Sequence, residues 1–181
     1  IGVVGNNSDN AYRVMYLVGN TTSVFIDGIK IVGGNSRAGV VRGKGAGIFI
    51  QNGGTVQLSN LIIADNNCLS EGMTGGAGAG LYIESSGALT LTNSVVRNNK
   101  LVEANVYYNG AAFLGGGGIY CGSASVQITN TIVSNNSVTS GGYGDVYGGG
   151  ICLNRTGVSN VFVTNSQILN NSIAKNGSLG T

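Results

Sequence analysis

Six of the seven carboxylates, Asp27, Asp65, Glu71, Glu84, Glu103 and Asp145, fall within or between the repeats, and their type could do acid–base chemistry or hold a hard cation. Breaking a glycosidic bond needs two of them paired across one site, and lyase chemistry beside an acidic sugar needs a basic residue to take the proton. Their spacing offers neither, because they fall at different positions of the repeat described below. Asp27 and Lys30 flank one bend, while Arg97 stands two repeats further on. There is no histidine, which removes an imidazole base and a histidine-held metal. The glycine-rich leads GAG and GGG precede strand patterns, whereas a phosphate-binding loop opens a helix. No cofactor and no metal site are implied, and the chain reads as leaning away from enzymes.

A formal charge of +2 from nine basic and seven acidic residues, without a basic cluster, gives no footing for nucleic acid. The densest positive charge is Arg37, Arg42 and Lys44, read as a solvated loop. No apolar run of about 18 residues is present, so no membrane insertion of this segment is expected. The remaining groups suited to recognition are aromatic. Tyr107, Tyr108, Phe113, Tyr143 and Tyr147 cluster in segments between repeats, and Phe49, Tyr82 and Tyr120 share one column with Leu17 and Cys152. Facing outward, that column would stack on sugar rings or meet another protein; the other account is that the long segments fold back over it.

The elements that position these residues repeat. The unit GGGIYCGSASVQITNTIVSNN (116–136) recurs as GAGIFIQNGGTVQLSNLIIADNN, GAGLYIESSGALTLTNSVVRNN and GGGICLNRTGVSNVFVTNSQILNN, with a worn copy at 15–35. From Gly28 through Asn60, Asn93, Asn130 and Asn165 the steps are 32, 33, 37 and 35 residues. A period in this range marks a solenoid. Before each anchor, Val24, Val56, Leu89, Val126, Val161 and Ile26, Leu58, Leu91, Ile128, Val163 form two apolar columns separated by a polar or variable one, the period of a strand with one buried face. Ile31, Ile63, Val96, Val133 and Ile168 form another after it, and Tyr16, Ile48, Leu81, Ile119 and Ile151 one in an earlier strand. The absence of proline agrees with strands internal to a ladder.

The spacing therefore predicts an all-β, right-handed parallel β-helix with three short strands per coil, about five coils, and long loops at one corner. Asn60, Asn93, Asn130 and Asn165 are expected to stack their amides as a structural ladder along the bend. Cys121 is placed inward, Cys152 outward and Cys68 in a loop, so no disulfide is expected.

The leads Gly117-Gly118-Ile119, together with [IV]xxN at Ile63–Asn66, Val96–Asn99, Val133–Asn136 and Ile168–Asn171, resemble the repeats of bacterial right-handed parallel β-helix surface proteins of the pectate-lyase-like superfold. They are similar also to the passenger repeats of chlamydial polymorphic outer membrane proteins, which pair GGA[ILV] with FxxN. The resemblance implies a secreted or cell-surface bacterial protein, adhesin-like or structural, with carbohydrate-active relatives. On this reading residues 1–181 are a single β-helix segment, expected to be a fragment of a longer surface protein whose neighbouring coils adjoin it. It would bind a glycan or a host or cell-surface protein through Phe49, Tyr82, Tyr120, Tyr107, Tyr108, Tyr143 and Tyr147. The alternatives are part of a polysaccharide lyase or hydrolase and, from the aligned Thr92, Thr129 and Thr164, an ice-binding solenoid.

Overall fold

The computed structural model describes residues 12–20, 23–37, 43–52, 54–70, 75–85, 87–103, 113–122, 125–141, 145–153 and 160–176. They wind as an all-β parallel β-helix in which every strand pairs with its counterpart one repeat away. The sense is the right-handed one that parallel crossover connections take.

Four ladders hold five rungs each. Ladder A stacks Met15–Asn20, Ile48–Asn52, Leu81–Ser85, Ile119–Cys121 and Ile151–Leu153. Ladder B stacks Val24–Asp27, Val56–Ser59, Ala88–Thr92, Ser125–Thr129 and Asn160–Thr164. Ladder C stacks Lys30–Val32, Ile62–Ala64, Val95–Arg97, Ile132–Ser134 and Gln167–Leu169. Ladder D, which the sequence reading assigned to loops, stacks Asn35–Arg37, Asn67–Ser70, Lys100–Glu103, Ser137–Ser140 and Ser172–Lys175. A fifth, three-rung ladder E contains Gly76–Ala77, Phe113–Gly115 and Asp145–Tyr147.

The expected count of three strands per coil is thus too low. From the second winding on, the supposed corner loops begin as ladder D and end as ladder E, with 71–74, 104–112 and 142–144 between them. Cys68, expected in a loop, is fully buried in ladder D, where it packs with Ala46, Ala79, Leu101, Leu114 and Val138 in a second core. The main core lies among ladders A, B and C and consists of the anticipated Val, Ile and Leu columns. Val133 is fully buried and its neighbour Ile132 exposed, so the strand phase follows the sequence.

The register of the first coil differs by one residue from the expected alignment. Met15, not Tyr16, pairs with Ile48, and Tyr16, not Leu17, pairs with Phe49, while Leu17 pairs with Ile50. A bulge between Val18 and Asn20 absorbs the extra residue, with Gly19 at φ 85°. The aromatic column is therefore Tyr16, Phe49, Tyr82 and Tyr120, closed by Cys152.

Candidate functional site

Left-handed residues mark the bends on either side of ladder C, and the first glycine of each lead, Gly45, Gly78, Gly116 and Gly148, is left-handed as well. The first bend holds the expected anchor, Gly28, Asn60, Asn93, Asn130 and Asn165, with φ between 48° and 70°. The second bend holds Gly33, Asp65, Asn98, Asn135 and Asn170, with φ between 54° and 77°. Asn, Asp and Gly tolerate this conformation at least cost, which explains why only these types occupy the bends.

Besides the expected asparagines at the first bend, which are bonded in part, a second and buried amide ladder that the sequence reading did not assign runs between the second bend and ladder D. Asn60, Asn93, Asn130 and Asn165 are exposed; Asn130 Nδ2 donates to Asn93 Oδ1 at 3.2 Å, and Asn60 Nδ2 donates to Asp27 at 2.7 Å. The buried amides are Asn66, Asn99 and Asn136, with Asn171 at the end. Asn99 Nδ2 donates to Asn136 Oδ1 at 2.9 Å and to the Ile63 carbonyl at 3.0 Å. Its Oδ1 accepts from Asn66 Nδ2 at 2.9 Å and from the Asn66 backbone N–H at 3.2 Å. Every polar atom of that side chain is satisfied without water, which is the condition for burying an amide.

The same ladder explains the Gly-x-Gly leads. A Cβ at Gly80 would stand 2.8 Å from Asn99 Cγ and Nδ2, and one at Gly118 would stand 2.9 Å from the same atoms of Asn136. The third residue of the lead is glycine because the buried amide occupies that space. The two halves of the repeat motif are therefore one packing unit, a link that sequence spacing alone did not reveal.

The aromatic column is inside the fold. Phe49 and Tyr82 are each 2% exposed, covered together with Ala77 of ladder E. Successive rings lie 5.0 Å apart from Phe49 to Tyr82 and from Tyr82 to Tyr120. Lys44, expected in a solvated loop, donates to the Tyr82 hydroxyl at 2.7 Å with its Nζ 4.6 Å from the ring centroid. Burial, followed by the nearby Glu84 carboxylate, pushes the Tyr82 phenol well above its ordinary value, so it stays protonated. The second account, that returning chain covers the stripe, is the one found. Tyr120 is half-buried, whereas Tyr147 is exposed and stacks on Phe113 with centroids 5.4 Å apart. Tyr107, Tyr108 and Tyr143 lie outside the described residues.

The described carboxylates are dispersed, and Asp27, Asp65 and Glu103 are engaged in hydrogen bonds. Asp27 accepts from Ser59 Oγ at 2.5 Å as well as from Asn60, and these hydrogen bonds hold its carboxyl below the usual value. Asp65 accepts from Asn98 Nδ2 at 3.1 Å. Glu103 is buried and accepts from Ser140 Oγ at 2.5 Å. Glu71 lies outside the described residues, and Glu84 and Asp145 are exposed on ladders A and E. Among the described residues no group of three His, Cys, Asp or Glu is placed to hold a metal ion. None of the three cysteines is in a disulfide, and all three are buried.

One surface cleft, of about 510 Å³, lies where the second bend meets the outer face of ladder D. Asp65 and Asn98 of the bend, with Asn67, Lys100, Leu69 and Val102 of ladder D, line it. Sequence reasoning missed it because a segment taken as loop has no assigned outer face. The signal was present in two columns, Asp65 with Asn98 and Asn67 with Lys100, which recur at the repeat period. Comparison of the chain with protein-family models, curated proteins and solved structures finds no match in any of the three, so its placement among β-solenoids rests on its own repeats and geometry.

Proposed function

We propose that this chain is a non-catalytic β-helix module of the adhesin-like or structural kind, displayed outside a bacterial cell, that binds a glycan or a protein. The observation that carries this reading is how the polar groups are used. Amides, hydroxyls and carboxylates bond from rung to rung along the bends, as in Asn66–Asn99–Asn136, Asp27–Ser59 and Asp65–Asn98, and so build a stiff scaffold. The largest length variation falls in the segments joining ladder D to ladder E, at 71–74, 104–112 and 142–144, where Tyr107, Tyr108 and Tyr143 fall by sequence. A rigid support with variable connections at one corner is the arrangement that binding proteins use. The extracellular, bacterial part of the reading draws on the resemblance of the repeats.

The test is glycan-array and cell-surface binding by the native chain and by a variant with 104–112 replaced by a short Gly/Ser linker. Loss of binding with an unchanged thermal midpoint supports the corner as the recognition surface. Release of unsaturated or reducing ends from uronic-acid polysaccharides by the native chain would contradict the non-catalytic reading.

A further inference from the structure

We infer that the cleft between the second bend and ladder D is a subsite for a neutral, hydroxyl-rich polysaccharide chain. This rests on reading the chain as a binding module but does not depend on the corner segments. The cleft's volume, about 510 Å³, falls within the roughly 300–1,000 Å³ typical of ligand sites. It is lined by two successive rungs, about 4.8 Å apart, each giving polar residues at the bend and an aliphatic one on ladder D. Asp65 pairs across to Asn98 at the bend, Asn67 registers with Lys100, and Leu69 registers with Val102. A ligand that matches such a surface offers polar groups on its edges and an apolar face at a short regular repeat, which is what successive pyranose units offer.

Several observations narrow the class. Asp65 and Lys100 bring opposite charges to the same cleft, so it has no net field to favour a polyanion. Asn98 spends one amide N–H on Asp65 and has a second N–H and a carbonyl oxygen suited to hydroxyl groups. Leu69 and Val102 are half-buried and supply an apolar strip for C–H faces. An added peptide strand is disfavoured, because the Lys100–Glu103 strand is already paired on both sides and presents no edge.

The experiment is affinity electrophoresis of the native chain and of the double variant Asn98→Gly/Lys100→Ala through gels containing a soluble neutral β-glucan, a galactomannan or polygalacturonate. Glycine retains the left-handed bend at position 98, where φ is 56°, so the fold is kept. The native chain is retarded by a neutral polymer, and the double variant loses about tenfold or more in affinity, the loss expected when two hydrogen bonds of about 1 kcal/mol go. The 104–112 linker variant keeps this retardation, which separates the cleft from the corner. No retardation by either neutral polymer, equal retardation of native chain and double variant, or stronger salt-sensitive retardation by polygalacturonate would each overturn the inference.

Discussion

Asn99 shows what a single side chain does in this fold. Replacing it with the near-isosteric Leu strands the Asn66 backbone N–H, the Asn66 amide and the Ile63 carbonyl in a dry corner. At about 1–3 kcal/mol for each buried orphan, Asn99→Leu is expected to cost roughly 3–9 kcal/mol in urea unfolding. Asn93→Gly, at an exposed bend with φ 48°, is expected to stay within about 1 kcal/mol of the native chain. Equal losses would mean that the wrong asparagine has been assigned to the interior. The sequence displays both Asn columns, but a left-handed bend interrupts the alternation of strand side chains, so which column points inward is not legible from spacing. The thiols make a second prediction. Burial pushes Cys68 up to about 12 and Cys152 up to about 11, so both remain protonated at pH 8 and closed to reagent. A disulfide-exchange reagent should find no reactive thiol in the native chain and three in denaturant. Asp27 contributes in the opposite sense: its folded-state pKa is depressed by Ser59 and then Asn60, so its stabilising hydrogen bonds are present above the ordinary carboxylate pKa. That contribution is lost as pH falls through the lowered value. An NMR titration should place its midpoint below that of an ordinary Asp, and Ser59→Ala should move it upward.

At the scale of the strand, one step in sequence separates interior from solvent. Val133→Asp puts an unpaired carboxylate in the main core and is expected to cost more than about 4 kcal/mol, whereas Ile132→Asp next to it is mild. Thermal midpoints of the two variants check the phase directly. Gly80→Ala tests the coupling between a lead and the amide ladder: its methyl meets Asn99 and the Gly118 carbonyl at 2.8 Å, so it should destabilise far more than a glycine-to-alanine change on an open surface. Ladders A, B and C were legible because their inward columns are aliphatic and their outward neighbours mostly polar. Ladder D was not: its inward column mixes Ser36, Cys68, Leu101, Val138 and Ile173, while its outward column includes Leu69 and Val102. With three or four residues per strand, that pattern looks irregular. The aromatic column was read correctly as outward-facing in its own strand, yet ladder E lies over it, and three strands of two or three residues give little periodicity to read.

For the whole molecule, the repeats make each winding depend on its neighbours, so stability accumulates along the axis instead of in one central core. In the last described winding, Val161, Val163 and Ile168 occupy columns that are buried in the three middle windings, and they are exposed. The cleft, the amide ladder and the covered aromatic stack all follow from one arrangement: like residues of successive repeats lie above one another in parallel register. Gln57 and Gln127 test this because they are exposed members of one column in ladder B, separated by Thr90. Nitroxide labels are placed on cysteines introduced at these two positions in a background in which buried Cys68, Cys121 and Cys152 remain unlabelled. Two rungs put the labelled backbones roughly 10 Å apart. The account predicts strong dipolar broadening of the electron paramagnetic resonance spectrum relative to either single label, and a spectrum equal to the sum of the two single labels would contradict it.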